Sequence, residues 1–143
     1  MPQPSDADRH GDRPAQETGW GKGTCAAPVE SLMQICRFLG SESVVRPVKG
    51  LFHDTLPLFR QTVGPIAFLH LDADWYDSTM AIWISLYDQV VEGGFLQIDD
   101  YGFWEGCRKA TREFFFQRGI SPKVNMIDET GACFFKSSTS LFG

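Results

Sequence analysis

Asp72 and Asp74 follow the apolar run Ile66-Ala67-Phe68-Leu69-His70-Leu71, and Asp99-Asp100 follow a second run, Phe95-Leu96-Gln97-Ile98. Carboxylates placed this way can do two kinds of chemistry: together they can hold a hard cation through oxygen, and one of them can accept a proton. If the two runs are neighbouring parallel strands, about 4.8 Å apart, the carboxylates of Asp72 and Asp99 or Asp100 converge on one small volume. Several like charges there need a cation. An oxygen-only set of two or three carboxylates suits Mg²⁺, Mn²⁺ or Ca²⁺ better than zinc, and Mg²⁺ is the expectation. Such an ion can hold a substrate hydroxyl and lower its pKa, with Asp74 at hand as proton acceptor. The plainer use of Asp72, Asp77 and Asp99 is to cap helices after strands. Four acidic residues at two matching strand ends favour the chemical reading.

The elements that would position these carboxylates can be read from pattern. Near-continuous apolar runs are the signature of strands covered on both faces, which Ile66–Leu71 and Phe95–Ile98 fit. Between them a helix capped by Asp77 or Ser78 is expected to reach about Val91, with a turn at Gly93-Gly94. That makes a strand, helix, strand crossover, which is nearly always right-handed and parallel. The carboxyl ends of parallel strands form the ligand crevice of such sheets, and both acidic clusters fall there.

Upstream, Val29, Leu32, Met33, Cys36 and Leu39 make one face of a helix that starts by Pro28 and ends at Gly40. Val44–Val48 reads as a short strand with an awkward Pro47, and Asp54 as the cap of a short helix through Phe59. Downstream, a helix from about Gly106 to Gln117 precedes Lys123–Ile127 and Ala132–Phe135, which flank the hairpin turn Asp128-Glu129-Thr130-Gly131. Residues 1–27, with Trp20 as their lone large anchor, are expected to be loop or disordered, and residues 28–143 to be the globular part. The fold class is α/β, with parallel strands closed by a C-terminal antiparallel hairpin.

Composition narrows the partners. The 143 residues are 43% hydrophobic, with 13 basic against 18 acidic side chains and a net charge of −5. A sequence pI near 5.1 argues against a phosphate-coating protein, so no nucleic-acid partner is expected. No run approaches the roughly 18 to 20 apolar residues of a membrane helix, and the first 30 positions lack a signal core, so the expectation is a cytoplasmic protein without a membrane partner. Cys25, Cys36, Cys107 and Cys133 have no metal or redox spacing and read as free thiols.

The stretch Phe68-Leu69-His70-Leu71-Asp72-Ala73-Asp74-Trp75-Tyr76-Asp77-Ser78-Thr79 resembles the macrocin O-methyltransferase family of TylF type. The match continues through Gly93-Gly94-Phe95, Ile98-Asp99-Asp100-Tyr101 and Gly106-Cys107-Arg108-Lys109-Ala110, and Val48–Pro57 looks like the family's segment after its third strand. The resemblance implies an S-adenosylmethionine-dependent, metal-assisted O-methyltransferase with a small-molecule hydroxyl acceptor, on part of a Rossmann-like class I methyltransferase sheet. It also implies that Asp72, Asp99 and Asp100 hold the divalent ion, that Asp74 or Asp72 serves as catalytic base or ligand, and that Gly50, Phe52 and His53 border the cofactor's adenine. Tyr101 and Trp104 become candidates to line the acceptor pocket.

The family's first strand, glycine-rich loop and second strand should precede the segment that aligns with Met1. Gly19-Trp20-Gly21-Lys22-Gly23 does not substitute, since no apolar strand comes before it. The chain is therefore expected to be N-terminally truncated and completed by a homo-oligomer or a complementing N-terminal half. Two alternatives remain at this point: a glycosyltransferase using Asp72-Ala73-Asp74 as a DxD motif, and a non-catalytic methyltransferase-like fragment that binds a partner.

Overall fold

The computed structural model describes residues 1–137; the final six positions of the expected 28–143 region, 138–143, lie outside the described residues. In chain order the elements are β1 (Arg9–His10), β2 (Arg13–Pro14), α1 (Val29–Leu39), α2 (Phe52–Phe59), β3 (Ile66–Leu71), α3 (Tyr76–Leu86), β4 (Val90–Ile98), α4 (Glu105–Gln117), β5 (Asn125–Met126) and β6 (Ala132–Phe135). The main sheet has the order β3-β4-β6-β5, with β3 and β4 parallel and β6 antiparallel to both of its neighbours. This is the expected parallel core closed by a hairpin. Asp128 makes the hairpin turn by accepting the backbone N–H groups of Thr130 (2.9 Å) and Gly131 (2.6 Å).

Helices α3 and α4 cover one face of this sheet. Leu69, Leu71, Leu96, Ile98 and Phe134 alternate onto that face and meet Trp83 from α3 and Phe114 and Phe115 from α4, all buried. The Trp83 indole packs edge-on to Phe115 at 5.2 Å and stacks on Phe114 at 5.8 Å. Its N–H donates to Thr111 Oγ1 at 3.1 Å, so the one polar atom of this buried indole is satisfied.

Four expectations need correction. Val44–Val48 is not a strand: no neighbouring strand among the described residues offers it a ladder, Pro47 has no N–H to give, and Val44 and Val48 are exposed. Strand β3 is covered on one face only, because it stands at the sheet's edge and α3 and α4 lie on the same side; Phe68 is 55% exposed. Asp54 does not cap α2. The Leu51 carbonyl accepts from both Asp54 and Thr55 at 3.0 Å, which starts the helix earlier and places Asp54 within its first turn.

The crossover helix α3 begins at Tyr76 and ends at Leu86, and β4 starts already at Val90. Gly93-Gly94 therefore lies inside the strand, where Gly93 takes φ 73° and the register of β3 against β4 shifts between Ile66 and Phe68. A local irregularity in a strand, with positive φ, is a place where glycine is accommodated without strain.

Residues 1–27 are mostly turn and loop, but they dock. The β1–β2 hairpin lays the His10 ring on Phe103 at 4.1 Å, and Asp8 and Ala15 are buried. Helix α1 runs from Val29 to Leu39 and stops at Gly40, as its spacing predicts. Of its apolar face only Cys36 is buried. None of the four cysteines is in a disulfide. Among the described residues, no helix is long and apolar enough to cross a membrane.

Candidate functional site

Parallel pairing sets Leu71 opposite Ile98, so the chain leaves both strands at the same sheet edge. The Asp99 N–H still donates to the Leu71 carbonyl at 2.8 Å, which holds the first residues beyond the strands side by side. Asp72, Asp99 and Asp100 each offer a carboxylate oxygen, and these three atoms lie within 4.8 Å of one another. The 3.0–3.1 Å bonds from the Phe103 and Trp104 N–H groups to the Asp100 carbonyl fix the turn after β4.

Burial and mutual repulsion act on the two less exposed members of the group. Asp100 is pushed up to about 7, by burial first and then by the charges of Asp74, Asp99 and Asp72, with the Asp74 backbone N–H pulling the other way. Asp74 is raised to about 6, again by burial first and then by Asp72, against the opposing pull of the Trp104 side-chain donor. The Asp74 backbone sits at φ 55°, an uncommon conformation for a residue with a side chain. Asp100 Oδ2 is buried with no hydrogen-bond partner. A buried, unpartnered oxygen on Asp100, in a cluster whose three carboxylates converge, fits a hard divalent cation held through oxygen.

A cleft of about 310 Å³ opens beside the cluster. Gly50, Phe52 and His53 line it together with Asp72, Ala73, Asp74 and Ser78. The expected cofactor contacts and two of the expected catalytic or metal residues thus share one cavity although they lie on separate segments of the chain. Gly50 also presses on its neighbour: a Cβ there would stand 2.5 Å from Thr55 Cγ2.

Tyr101 and Trp104 are placed differently from each other and from the cleft. Trp104 is 2% exposed and packs edge-on to Trp75 at 4.8 Å, beneath the acidic loop rather than on the cleft wall. Tyr101 is half-buried, receives a weak 3.4 Å bond from Arg112 Nε and lines a separate groove along α4. Sequence reasoning missed Met1, Pro2, Thr24 and Cys25, which complete the cleft. It also missed Asp8, which anchors that segment. No periodicity links these residues to Asp72; only tertiary folding brings them together.

The model of the macrocin-O-methyltransferase (TylF) family matches residues 8–136. A tetracenomycin-C rhamnoside 4'-O-methyltransferase of Streptomyces olivaceus is 36% identical over 110 residues, covering 76% of this chain and 41% of that enzyme. The mycinamicin III 3''-O-methyltransferase of Micromonospora griseorubida is 35% identical over 94 residues, 66% of this chain and 36% of its own. Among solved structures, the O-methyltransferase NovP superposes with a TM-score of 0.60 at 25% identity, over 81% of this chain and 55% of that one. The calicheamicin methyltransferase CalS11 reaches 0.74 at 19% identity, over 96% and 57%. The chain thus spans less than half the length of these two curated relatives. The matches overturn the glycosyltransferase alternative for Asp72-Ala73-Asp74, and the sheet is part of a Rossmann-like class I methyltransferase fold. With its strand-end carboxylates and adjoining cleft, this chain belongs to the macrocin-O-methyltransferase (TylF) family.

Proposed function

We propose that this chain carries the acceptor-activating part of an S-adenosylmethionine-dependent O-methyltransferase that acts on a hydroxyl group of a small molecule. The observation that carries this reading is the convergence of Asp72, Asp99 and Asp100 within 4.8 Å at the ends of β3 and β4. When bound, a divalent cation supplies the charge that lowers the acceptor hydroxyl's pKa, and S-adenosylmethionine supplies the methyl group.

Asp72, Asp99 and Asp100 would hold the cation. Asp74, raised to about 6, is poised to take the hydroxyl's proton near neutral pH, where a weakly acidic base is most useful. Gly50, Phe52 and His53 would flank the donor's adenine in the cleft, whereas Tyr101, which faces the separate groove along α4, is given no contact with the acceptor. Trp104, whose side-chain donor pulls against the rise of Asp74, would be a positioning residue for that carboxylate. Much of the rate gain would come from positioning. Relatives named for a tetracenomycin rhamnoside and a mycinamicin support a glycoside as the acceptor class.

Calorimetric titration with S-adenosylmethionine, with and without Mg²⁺, tests the reading. Micromolar binding of the donor and a separate Mg²⁺ isotherm support it. A folded chain that binds neither overturns it, and the methyltransferase likeness is then ancestry alone.

A further inference from the structure

Four basic side chains belong to α4 and its C-terminal cap, and three of them are neutralised. Arg108 lies 3.7 Å from Glu105, Lys109 lies 3.9 Å from Glu113, and Arg118 grips Asp88 through both terminal nitrogens. Arg112 is the exception: among the described residues it forms no ion pair. Its neighbours at helical spacings of three and four residues are Arg108, Lys109, Phe115 and Phe116, two cations and two phenyl rings, so the helix offers it no carboxylate. Its Nε makes only the weak 3.4 Å bond to the Tyr101 hydroxyl, and among the described residues no hydrogen bond uses its terminal nitrogens.

Arg112 and Tyr101 line the groove along α4, which has a volume of about 460 Å³. The chain makes this groove by turning back at the end of the helix. Gly119 takes φ 65°, which a glycine adopts freely, and the Ile120 N–H donates to the Phe115 carbonyl at 3.0 Å. That turn brings Ile120 and Val124 alongside Phe115 and Phe116 as an apolar lining. Phe115 is buried, whereas Phe116 is 86% exposed. The groove shares no lining residue with the cleft beside the acidic cluster, and Val124 precedes β5, the sheet edge opposite β3.

An apolar groove with one unneutralised guanidinium has a definite chemical complement. Small-molecule sites are concavities of roughly 300–1,000 Å³ lined by aromatic and aliphatic side chains, with a few polar groups that fix orientation. Phenyl and phenol rings pack well on flat apolar molecules, and the planar fork of an arginine matches a carboxylate through two parallel bonds. We propose that this groove binds a flat, apolar carboxylate, its ring system against Phe116, Ile120 and Val124 and its carboxylate on the terminal nitrogens of Arg112. Arg108 and Lys109, one turn away, are already engaged by Glu105 and Glu113, so the charge of the ligand is met by Arg112. The site is additional to the methyl-transfer site and does not depend on that reading.

The test is an NMR titration of the purified, isotope-labelled chain with naphthalene-2-carboxylate. The expected result is saturable 1:1 binding that shifts the amides of Tyr101, Arg112, Phe116 and Ile120. Arg112→Gln should bind this probe at least tenfold more weakly, and the parent chain should bind the uncharged naphthalene-2-carboxamide at least tenfold more weakly than the carboxylate. Phe116→Ala should weaken the binding of both compounds. Arg112 and Phe116 are exposed, so both variants should keep the circular dichroism of the parent. Shifts centred on residues 50–53 overturn the proposal, as do equal affinity in Arg112→Gln, equal affinity for the carboxamide, or the absence of saturable shifts up to the solubility limit of the probe. Broadening of the same amides as the chain is concentrated without probe also overturns it, and assigns the groove to a second copy.

Discussion

Asp8 Oδ1 accepts the backbone N–H of Tyr76 at 2.7 Å, joining a loop near the start of the chain to the first turn of α3. Its other oxygen takes the Ser5 N–H at 2.7 Å and the Ser5 hydroxyl at 2.8 Å, and the side chain is buried. A carboxylate at a helix N-terminus satisfies an orphan donor and meets the positive end of the dipole. Beside it, Trp75 Nε1 donates to the Pro2 carbonyl at 3.2 Å, which keeps Met1 and Pro2 on the wall of the cleft.

Replacing Asp8 with Ala should therefore cost about 1–3 kcal/mol, the penalty of stranding a buried N–H, and Asp8→Asn less, since an amide keeps an acceptor oxygen. Gly106→Ala should destabilise by the same route, because its Cβ would fall on Asp8 Oδ1 and within 3.0 Å of the Tyr76 nitrogen. Urea unfolding measures all three. An unchanged midpoint in Asp8→Ala would show that the segment is not docked in solution.

Asp74 and Asp100 give the apo chain an unusual pH dependence. Both are raised in the folded state, to about 6 and about 7, above the ordinary carboxylate value that they recover on unfolding. Between that ordinary value and neutrality the folded chain binds more protons than the unfolded one, so stability falls as pH rises. Asp88, held low by Arg118, and Asp128, held low by the Gly131 N–H, act in the opposite sense but only in stronger acid, outside this window. Thermal unfolding without divalent ions should thus give a lower Tm at pH 8 than at pH 5. Millimolar Mg²⁺ should restore the loss at pH 8 and do little at pH 5. A Tm that climbs from pH 5 to 8 without added cation contradicts the frustrated cluster.

The parts of this arrangement that were legible in the sequence are those with local causes. The spacing of Val29 to Leu39, stopped by Gly40, is enough for α1, and apolar runs ending in Asp are enough for β3, the last four residues of β4 and the acidic edge. What escaped depends on partners distant in the chain. Val44–Val48 has strand composition but no ladder to join, because pairing is a property of two segments. Phe68 looks like core for the same reason, and its exposure follows from the edge position of β3. The Asp8 to Tyr76 bond spans 68 positions and leaves no periodic trace.

The aromatic core has one residue whose loss should be felt most. Trp83 is fully buried and packs against Tyr87, Phe114, Phe115 and Phe134 with centroid distances from 5.2 to 6.2 Å. Trp83→Ala should cost about 3–5 kcal/mol, the range for removing a large buried aromatic. Trp83→Phe should cost less, since it keeps a ring but gives up the bond to Thr111; that hydroxyl still donates to the Cys107 carbonyl at 2.9 Å. Guanidinium unfolding distinguishes them, and equal losses in the two variants would mean that the hydrogen bond, and not the packing, dominates.

Asp99→Ala separates metal binding from stability. Asp99 is one of three carboxylates whose oxygens lie within 4.8 Å, and its charge helps raise both Asp74 and Asp100. Removing it takes away a ligand and also relieves repulsion in the apo site, so Mg²⁺ affinity should fall at least tenfold, about 1.4 kcal/mol, while the unfolding midpoint barely moves. The pKa values of Asp74 and Asp100, followed by NMR, should both drop toward the ordinary range. Asp77→Ala is the control: Asp77 carries the same charge on the first turn of α3 but is not part of the cluster, so Mg²⁺ binding should persist. Equal Mg²⁺ affinity in Asp99→Ala and the parent chain would remove the cluster from the cation's coordination shell, and Asp72 and Asp100 would lose their role as ligands with it.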